Sequence, residues 1–422
     1  LAGKEIKTEF ILIKKLAINF SSLTALQISN YVIPLITFPY LVRVLGPTNF
    51  GLANFAFAFL VYFNTVIEFG FNFSSTREIA QSKDDRNKIN QLFNLTFFSK
   101  IILLIPISIL YFILISLIPF FSQNFLIYTI AYFSIIGNLL LPVWFFQGIE
   151  KMYYITIFNI VFRVIGVVFI FLFVVKEEDL IIYLVITSGV LLLTGVSSVY
   201  YILRQKLVDL ALPKYESIKQ HLREGFNLFS SQYLIMLYTT SNTFILGLIS
   251  GSTAVGFFTG ADKIRAAVQN VGGIAGQTIF PHISNLFRES KVSTVKFLKK
   301  YLIVIGIPAF LFSTFLFLFS EELILLILGK QYLNSVQILK WLAFLPFIIF
   351  LSNVFGIQFM LGQGFDSEFR KIIFIGAALN LILLITLVPL YGAEGTAASM
   401  LCTEIVITLL TFFFFIRNKN EI

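Results

Sequence analysis

The chain has 422 residues, of which 58% are hydrophobic and only 13% charged, with a mean hydropathy of +0.89. Soluble domains are close to half apolar and a quarter charged, so this composition excludes a water-soluble globular protein. The net charge of +9 would suggest a nucleic-acid partner only if the lysines and arginines clustered on a soluble domain; here they fall in loops between apolar runs, and no nucleic acid is expected.

Apolar stretches of about twenty residues recur from end to end, each long enough to cross a hydrocarbon core of roughly 30 Å. They are continuous rather than alternating, which selects helices over a β-barrel. The predicted class is an all-α polytopic membrane protein. In chain order the runs give about twelve spans: 17–42, 50–72, 94–118, 122–146, 154–175, 180–203, 225–249, 254–284, 298–320, 334–361, 370–389 and 394–416. The first run leads directly into the body of the protein, so no cleavable signal peptide is expected. With both termini placed in the cytoplasm, the inner segments hold 23 lysines and arginines and the outer ones 4, a strong positive-inside bias.

Span 1 contains Pro34 and Pro39 in NYVIPLITFPYLVRVLG. Each removes an amide donor, so the expectation is either a packing kink or an interrupted helix lining a pathway. The outer turn that follows carries Gly46 and Gly51. Glu68 and Arg77 bracket the inner end of span 2; Arg77 reads as a topology charge or as a residue at a cavity mouth. Arg163 lies in mid-span within FNIVFRVIGVV, where it either lines a cavity or meets a backbone carbonyl. The EED run at 177–179 sits in a short outer loop and is weak as a metal site.

The longest inner polar segment, 204–224, falls near the middle of the chain. It divides the protein into an N-terminal lobe, 1–203 with spans 1–6, and a C-terminal lobe, 225–422 with spans 7–12. An offset of 205 residues then places Gln27 on Gln232, Gly46 on Gly251, Thr48 on Thr253 and Gly51 on Gly256. The shared turn reads GPTNFGL in one half and GSTAVGF in the other. Six spans per half make the halves parallel repeats, with these glycines as hinge or kink positions.

Span 8 holds the densest charge in the apolar part of the chain, GADKIRAA at 260–267. At 1.5 Å per residue from an outer start near 254, Asp262 to Arg265 lie roughly 12–17 Å deep. Asp262 and Arg265 are three apart and share a face, whereas Lys263 points about 100° away. One pair cannot neutralise three charges, and intramembrane charges cost roughly 2.5–3.5 kcal/mol each on insertion scales. Two readings stay open: a buried pair with a snorkelling lysine, or a water-filled cationic cavity that takes an anion. Glu404, in LCTEIVITLL, is an isolated carboxylate in span 12 that reads as structural or as a proton or cation site. One cysteine, Cys402, and two histidines, His221 and His282, leave no disulfide and no metal-ligand spacing. No P-loop, G-x-S-x-G or H-E-x-x-H occurs, so no enzyme is expected.

The segment LQISNYVIPLITFPYLVRVLGPTNFGLANFAFAFLVYFNTVIEFGFNFSSTREIA resembles the N-terminal signature of the Wzx-type O-antigen and polysaccharide flippases. These belong to the MOP superfamily, with the MATE exporters and the lipid II flippases. LPVWFFQGIEKMYYI, STAVGFFTGADKIRAAV and LVPLYGAEGTAASMLCTEIV are similar more loosely across the superfamily. The resemblance implies a V-shaped, MATE-like fold of two six-helix lobes in a bacterial inner membrane. It implies alternating-access transfer of an undecaprenyl-pyrophosphate-linked oligosaccharide to the periplasmic leaflet, with membrane lipids, a polysaccharide polymerase and a chain-length regulator as partners. By this resemblance Lys263 and Arg265, with Arg163 and Arg77 as further candidates, receive the pyrophosphate. Asp262, Glu68 and Glu404 are charge partners or sites of H+ or Na+ coupling, and no other cofactor is expected. The alternative is a MATE-like cation-coupled multidrug exporter.

Overall fold

The computed structural model describes residues 2–83 and 85–418, and no β-strand occurs among them. The helices are α1 (Ala2–Glu68), α2 (Phe71–Gln81), α3 (Arg86–Leu117), α4 (Pro119–Ser122), α5 (Phe125–Leu139), α6 (Val143–Gly148), α7 (Met152–Phe173) and α8 (Leu180–Arg204). They continue with α9 (Tyr215–Glu289), α10 (Lys291–Leu318), α11 (Ser320–Ile327), α12 (Ser335–Leu342), α13 (Leu345–Asn353) and α14 (Asp366–Asn418). Among the described residues nine helical segments are long and apolar enough to cross a membrane.

Three helices are bent at a single glycine. Helix α1 leaves helical dihedrals at Gly46 (φ 67°, ψ 171°), α9 at Gly251 (φ 79°, ψ 177°) and α14 at Gly392 (φ 53°, ψ −125°). Positive φ is open to glycine because it lacks a Cβ. The backbone of α1 stays helical through Pro34 and Pro39 and departs at Gly46 instead. Near the first of these prolines, the Thr37 hydroxyl donates to the Ile33 carbonyl at 3.2 Å and to that of Pro34 at 3.3 Å.

The chain divides into two compact units: residues up to Tyr40 together with Ala56–Leu237, and Leu41–Phe55 together with Tyr238 onward. In the first unit an aromatic cluster joins α1 to α3, α4 and α5. Phe59 stacks on Phe121 at 4.6 Å, Phe63 meets Tyr111 edge-on at 5.0 Å, and the buried Tyr111 hydroxyl donates to the Tyr128 carbonyl at 2.8 Å. Helices α5 and α8 approach through Gly137 and Gly195, where a Cβ would meet backbone of the other helix at 2.6 and 2.5 Å. Such small-residue contacts let backbones close in lipid, where no hydrophobic force drives helices together.

In the second unit the two turns at offset 205 touch. Gly46 and Gly251 share the same unusual dihedrals, and Thr48 and Thr253 hydrogen-bond through their hydroxyls at 2.9 Å. A Cβ on Gly51 would lie 1.9 Å from the Ser252 carbonyl oxygen, and one on Gly256 would lie 1.9 Å from that of Pro47. Pro47 and Ser252 are themselves 205 apart, so the contact is reciprocal. Around it, Phe55 stacks on Phe244 at 5.6 Å, and Gln331 donates to the Val42 and Arg43 carbonyls at 3.1 and 2.9 Å. Elsewhere in this unit Ile283, Phe287, Tyr301, Phe350, Phe359 and Phe415 form the core between α9, α10, α13 and α14.

One segment departs from its predicted span, and the central polar stretch is partly helical. The polar stretch 204–224 is non-helical only over 205–214, and α9 begins at Tyr215. The run 334–361 is not one helix. Helix α12 stops at Leu342, Pro346 stands in the first turn of α13, and Val354–Met360 winds with the wider π pitch. Hydropathy averages over such breaks because both sides remain apolar.

His221, 5% exposed, stacks on Phe71 at 4.8 Å and lies 3.4 Å from the Thr96 hydroxyl. Burial pushes its imidazole down to about 4, against the opposing charge of Glu224. The neutral form is the one that folds, so its contribution is complete above the ordinary value of 6.5 and is lost as pH falls toward 4. Thermal unfolding in detergent should show an acid-side loss approaching about 3 kcal/mol, and His221→Gln should flatten that slope. In the same assay Gly256→Ala should cost about 3 kcal/mol or block folding through backbone overlap. Gly272→Ala, whose Cβ meets nothing within 4 Å, should be tolerated.

Candidate functional site

Beyond Gly251, α9 carries Asp262, Arg265 and Gln269 at spacings of three and four, which aligns them along one face. The Arg265 side chain is 9% exposed. Its Nε and Nη2 each donate to Asp262 Oδ1 at 2.7 Å, and Nη1 donates to Gln269 Oε1. A guanidinium has five N–H groups, so the two partners leave about two of them for an incoming oxygen. Lys263 is exposed on the adjacent face, its ammonium 4.9 Å from the centre of the buried Phe50 ring. Phe50 belongs to the turn that follows Gly46, so the glycine contact also sets the wall against which Lys263 rests.

Gln269 joins this charged stretch to a cavity of about 770 Å³ between α9, α10 and α13. Val268, Phe280, Ile305 and Phe350 are among its apolar walls. Two buried polar atoms there, Tyr301 Oη and Gln358 Oε1, have no hydrogen-bond partner among the described residues.

The first unit holds a different arrangement. At the C-terminal end of α1, Glu68 Oε1 accepts from Lys100 Nζ at 3.2 Å, and Oε2 accepts from Asn72. Lys100 on α3 is fully buried, whereas the Glu68 side chain is 21% exposed. The carboxylate faces a cavity of about 340 Å³ that also takes in Asn64, Asn72, Phe73, Asn138 and Gln232.

The predicted site residues therefore fall in two places. Asp262, Lys263, Arg265 and Glu404 are in the second unit; Glu68, Arg77 and Arg163 are in the first. Arg77 is exposed on α2 and Arg163 half-buried on α7. Glu404 is half-buried on α14, next to Thr403, which receives a long 3.5 Å contact from Asn380. Asp179 of the EED run closes its own turn, accepting from the Val175 and Lys176 amides at 2.9 and 3.0 Å. Among the described residues no group of three or more His, Cys, Asp or Glu side chains could hold a metal. Sequence reading gave no role to Lys100, Asn64, Asn138 or Gln269. Lys100 alone carried a signal, as a cation inside a span; the amides look like ordinary polar residues of apolar helices.

The family described as "Polysaccharide biosynthesis protein" matches residues 16–287. The chain is 35% identical to a protein named "Putative O-antigen transporter" from Escherichia coli (strain K12), over 95% of this chain and 97% of the relative. It is 29% identical to a protein of the same name from Shigella dysenteriae, over 90% and 95%. Among solved structures it is similar to an inward-facing multidrug resistance MATE family transporter of the MOP superfamily, with a TM-score of 0.64 at 14% identity and coverage of 96% and 98%. It is also similar to the lipid II flippase MurJ in an inward closed conformation, with a TM-score of 0.51 at 18% identity and coverage of 97% and 86%. The fold is thus the MATE-like one.

Removing one member of a buried ion pair costs about 3–5 kcal/mol, because the other charge is stranded. Glu68→Gln should therefore destabilise the purified protein by about that amount, and Lys100→Met paired with Glu68→Gln should recover most of it. Denaturation in detergent, followed by circular dichroism, measures both.

Proposed function

The chain belongs to the polysaccharide biosynthesis protein family, within the MOP superfamily, and we propose that it is a flippase for lipid-linked polysaccharide repeat units. In this reading it carries an oligosaccharide on undecaprenyl pyrophosphate from the cytoplasmic to the periplasmic leaflet of a bacterial inner membrane, by alternating access. The observation that carries the reading is the 35% identity to an O-antigen transporter along 95% of the chain. Reading each glycine-bent helix as two passes gives twelve spans, with both termini in the cytoplasm and a six-span lobe on either side of 204–224.

The α9 site supplies the chemistry. A pyrophosphate in a low-dielectric setting needs charge-assisted donors, and a guanidinium offers them in a planar fork. Asp262 holds Arg265 flat against the helix face and neutralises it between cycles, so its remaining N–H groups are pre-oriented. An arriving phosphate competes with Asp262 for the same cation, which limits the depth of binding and lets the head leave again. Lys263 adds a second cation on the neighbouring face. The 770 Å³ apolar cavity that begins at Gln269 offers a seat for the part of the lipid chain nearest the head. Arg163 and Arg77 are proposed as secondary contacts on the first unit.

Coupling to a proton or sodium gradient is proposed at Asp262, Glu68 or Glu404. Asp262 and Glu68 each face a cation, so protonation would release Arg265 or Lys100, a local charge change of the kind that biases a two-state transporter. A polysaccharide polymerase and a chain-length regulator are proposed to act on the product. The multidrug-exporter reading is weaker: Asp262, Lys263 and Arg265 sum to one positive charge, which repels cationic drugs.

In cells lacking the gene, lipid-linked oligosaccharide should accumulate in the cytoplasmic leaflet. The wild type should relieve this, and Arg265→Ala or Lys263→Ala should reduce transfer by about 10- to 100-fold, given that each lost charge-assisted bond is worth roughly 1.5–3 kcal/mol. Leaflet-resolved labelling of the lipid-linked sugar reads the outcome. Normal leaflet distribution without the gene, with lowered drug tolerance, would transfer the assignment to drug export.

A further inference from the structure

The polar cavity of the first unit differs in chemistry from the anion site on α9. Its walls carry a fixed carboxylate, Glu68, and four amide side chains: Asn64, Asn72, Asn138 and Gln232. Glu68 is held from behind by the buried Lys100 and from the side by Asn72. A carboxylate offers about four acceptor positions, so acceptor capacity remains after those two bonds. Asn64 Oδ1 is buried and has no hydrogen-bond partner among the described residues. Phe73 stands at the same cavity with its side chain 62% exposed. At about 340 Å³ the space is near the lower end of small-molecule sites, which run from roughly 300 to 1,000 Å³.

These features exclude most ligand classes. Among the described lining residues a phosphate would face the Glu68 carboxylate and find no cation aimed at it, since Lys100 is already engaged behind. A metal ion would find one carboxylate, which that ammonium neutralises. A hydrocarbon would strand the amides, and burying an amide without a partner costs roughly 1–3 kcal/mol on protein scales. A neutral polyhydroxylated ring fits: hydroxyls donate to Glu68 and Asn64, accept from Asn138, Asn72 and Gln232, and the apolar C–H face of the ring packs on Phe73. We propose that this cavity binds a sugar ring of the transported repeat unit, on the first unit and separate from the pyrophosphate site on α9. The inference rests on the polysaccharide-flippase reading for its ligand class. It gives Glu68 a role in hydroxyl recognition rather than in ion coupling alone.

The test uses the full chain purified into nanodiscs. Saturation-transfer NMR is run with a panel of free monosaccharides (glucose, galactose, mannose, rhamnose and N-acetylglucosamine) and with inorganic pyrophosphate as competitor. At least one sugar should receive transfer, pyrophosphate should leave that signal unchanged, and Asn138→Ala or Gln232→Ala should weaken it at least tenfold while thermal stability holds. Phe73→Trp should give a sugar-dependent fluorescence change in the intact protein, which keeps the result readable if an amide variant misfolds. No transfer to any sugar at millimolar concentration, transfer indifferent to these variants, or displacement by pyrophosphate would each overturn the site. The two readings fail separately. Export that persists without the gene defeats the flippase assignment, whereas export lost with the gene but normal in Asn138→Ala and Gln232→Ala, with unaltered sugar transfer, defeats this site alone.

Discussion

Hydrocarbon supplies no hydrogen bonds, so a charged side chain buried in this protein is stable only with a partner inside it. That constraint accounts for the form of both charged places. Arg265 is tolerated at depth because Asp262 and Gln269 occupy its donors from the same helix. Lys100 is tolerated with no exposure because Glu68 reaches it from α1. The two solutions differ in consequence. A pair three residues apart on one helix survives any rigid movement of that helix, whereas a pair bridging α1 and α3 ties two helices together. The first suits a group that must stay charged and poised while its surroundings rearrange; the second suits a fixed wall.

The same constraint governs the backbone. Where a helix turns at glycine its carbonyls and amides lose helical partners, and here the turns of α1 and α9 are brought against each other. Gly51 and Gly256 leave room for the opposing chain at a distance no side chain would permit, and the threonine hydroxyls of the two turns bond to each other. Duplication gives a reason for the match: a turn that is satisfied by a copy of itself needs no third element. The arrangement also brings Phe50 beneath Lys263, so the contact between the two turns shapes the surroundings of that ammonium.

Much of this was legible in the sequence. Hydropathy located the apolar runs because the bilayer fixes their length, and the offset of 205 picked out Gly46, Thr48 and Gly51 with their counterparts. The pairing of Asp262 with Arg265 followed from helical spacing alone. The Glu68–Lys100 pair was not legible, since its members stand on different helices and nothing local joins them. Pro34 and Pro39 drew attention as kinks, yet the backbone turns at Gly46: proline weakens a helix by one bond, while only a residue without a Cβ takes φ near 67° at no cost. The amides around the first-unit cavity were silent because asparagine and glutamine in an apolar helix have no periodic signature. They acquire meaning only when α1, α2, α5 and α9 converge.

Residues 41–55 pack with a unit whose remainder begins at Tyr238. They leave the ribosome about 180 residues ahead of that partner, which at roughly 5–20 residues per second is a wait of about 10–40 s. Through that interval the first turn waits with its Gly51 notch unfilled, and the second half completes it by docking onto a strip laid down long before. Assembly of this unit is thus a capture event between early and late chain, closer to fragment complementation than to the folding of a contiguous domain. A split anywhere between 56 and 237 would leave the later piece without a strip of its own packing.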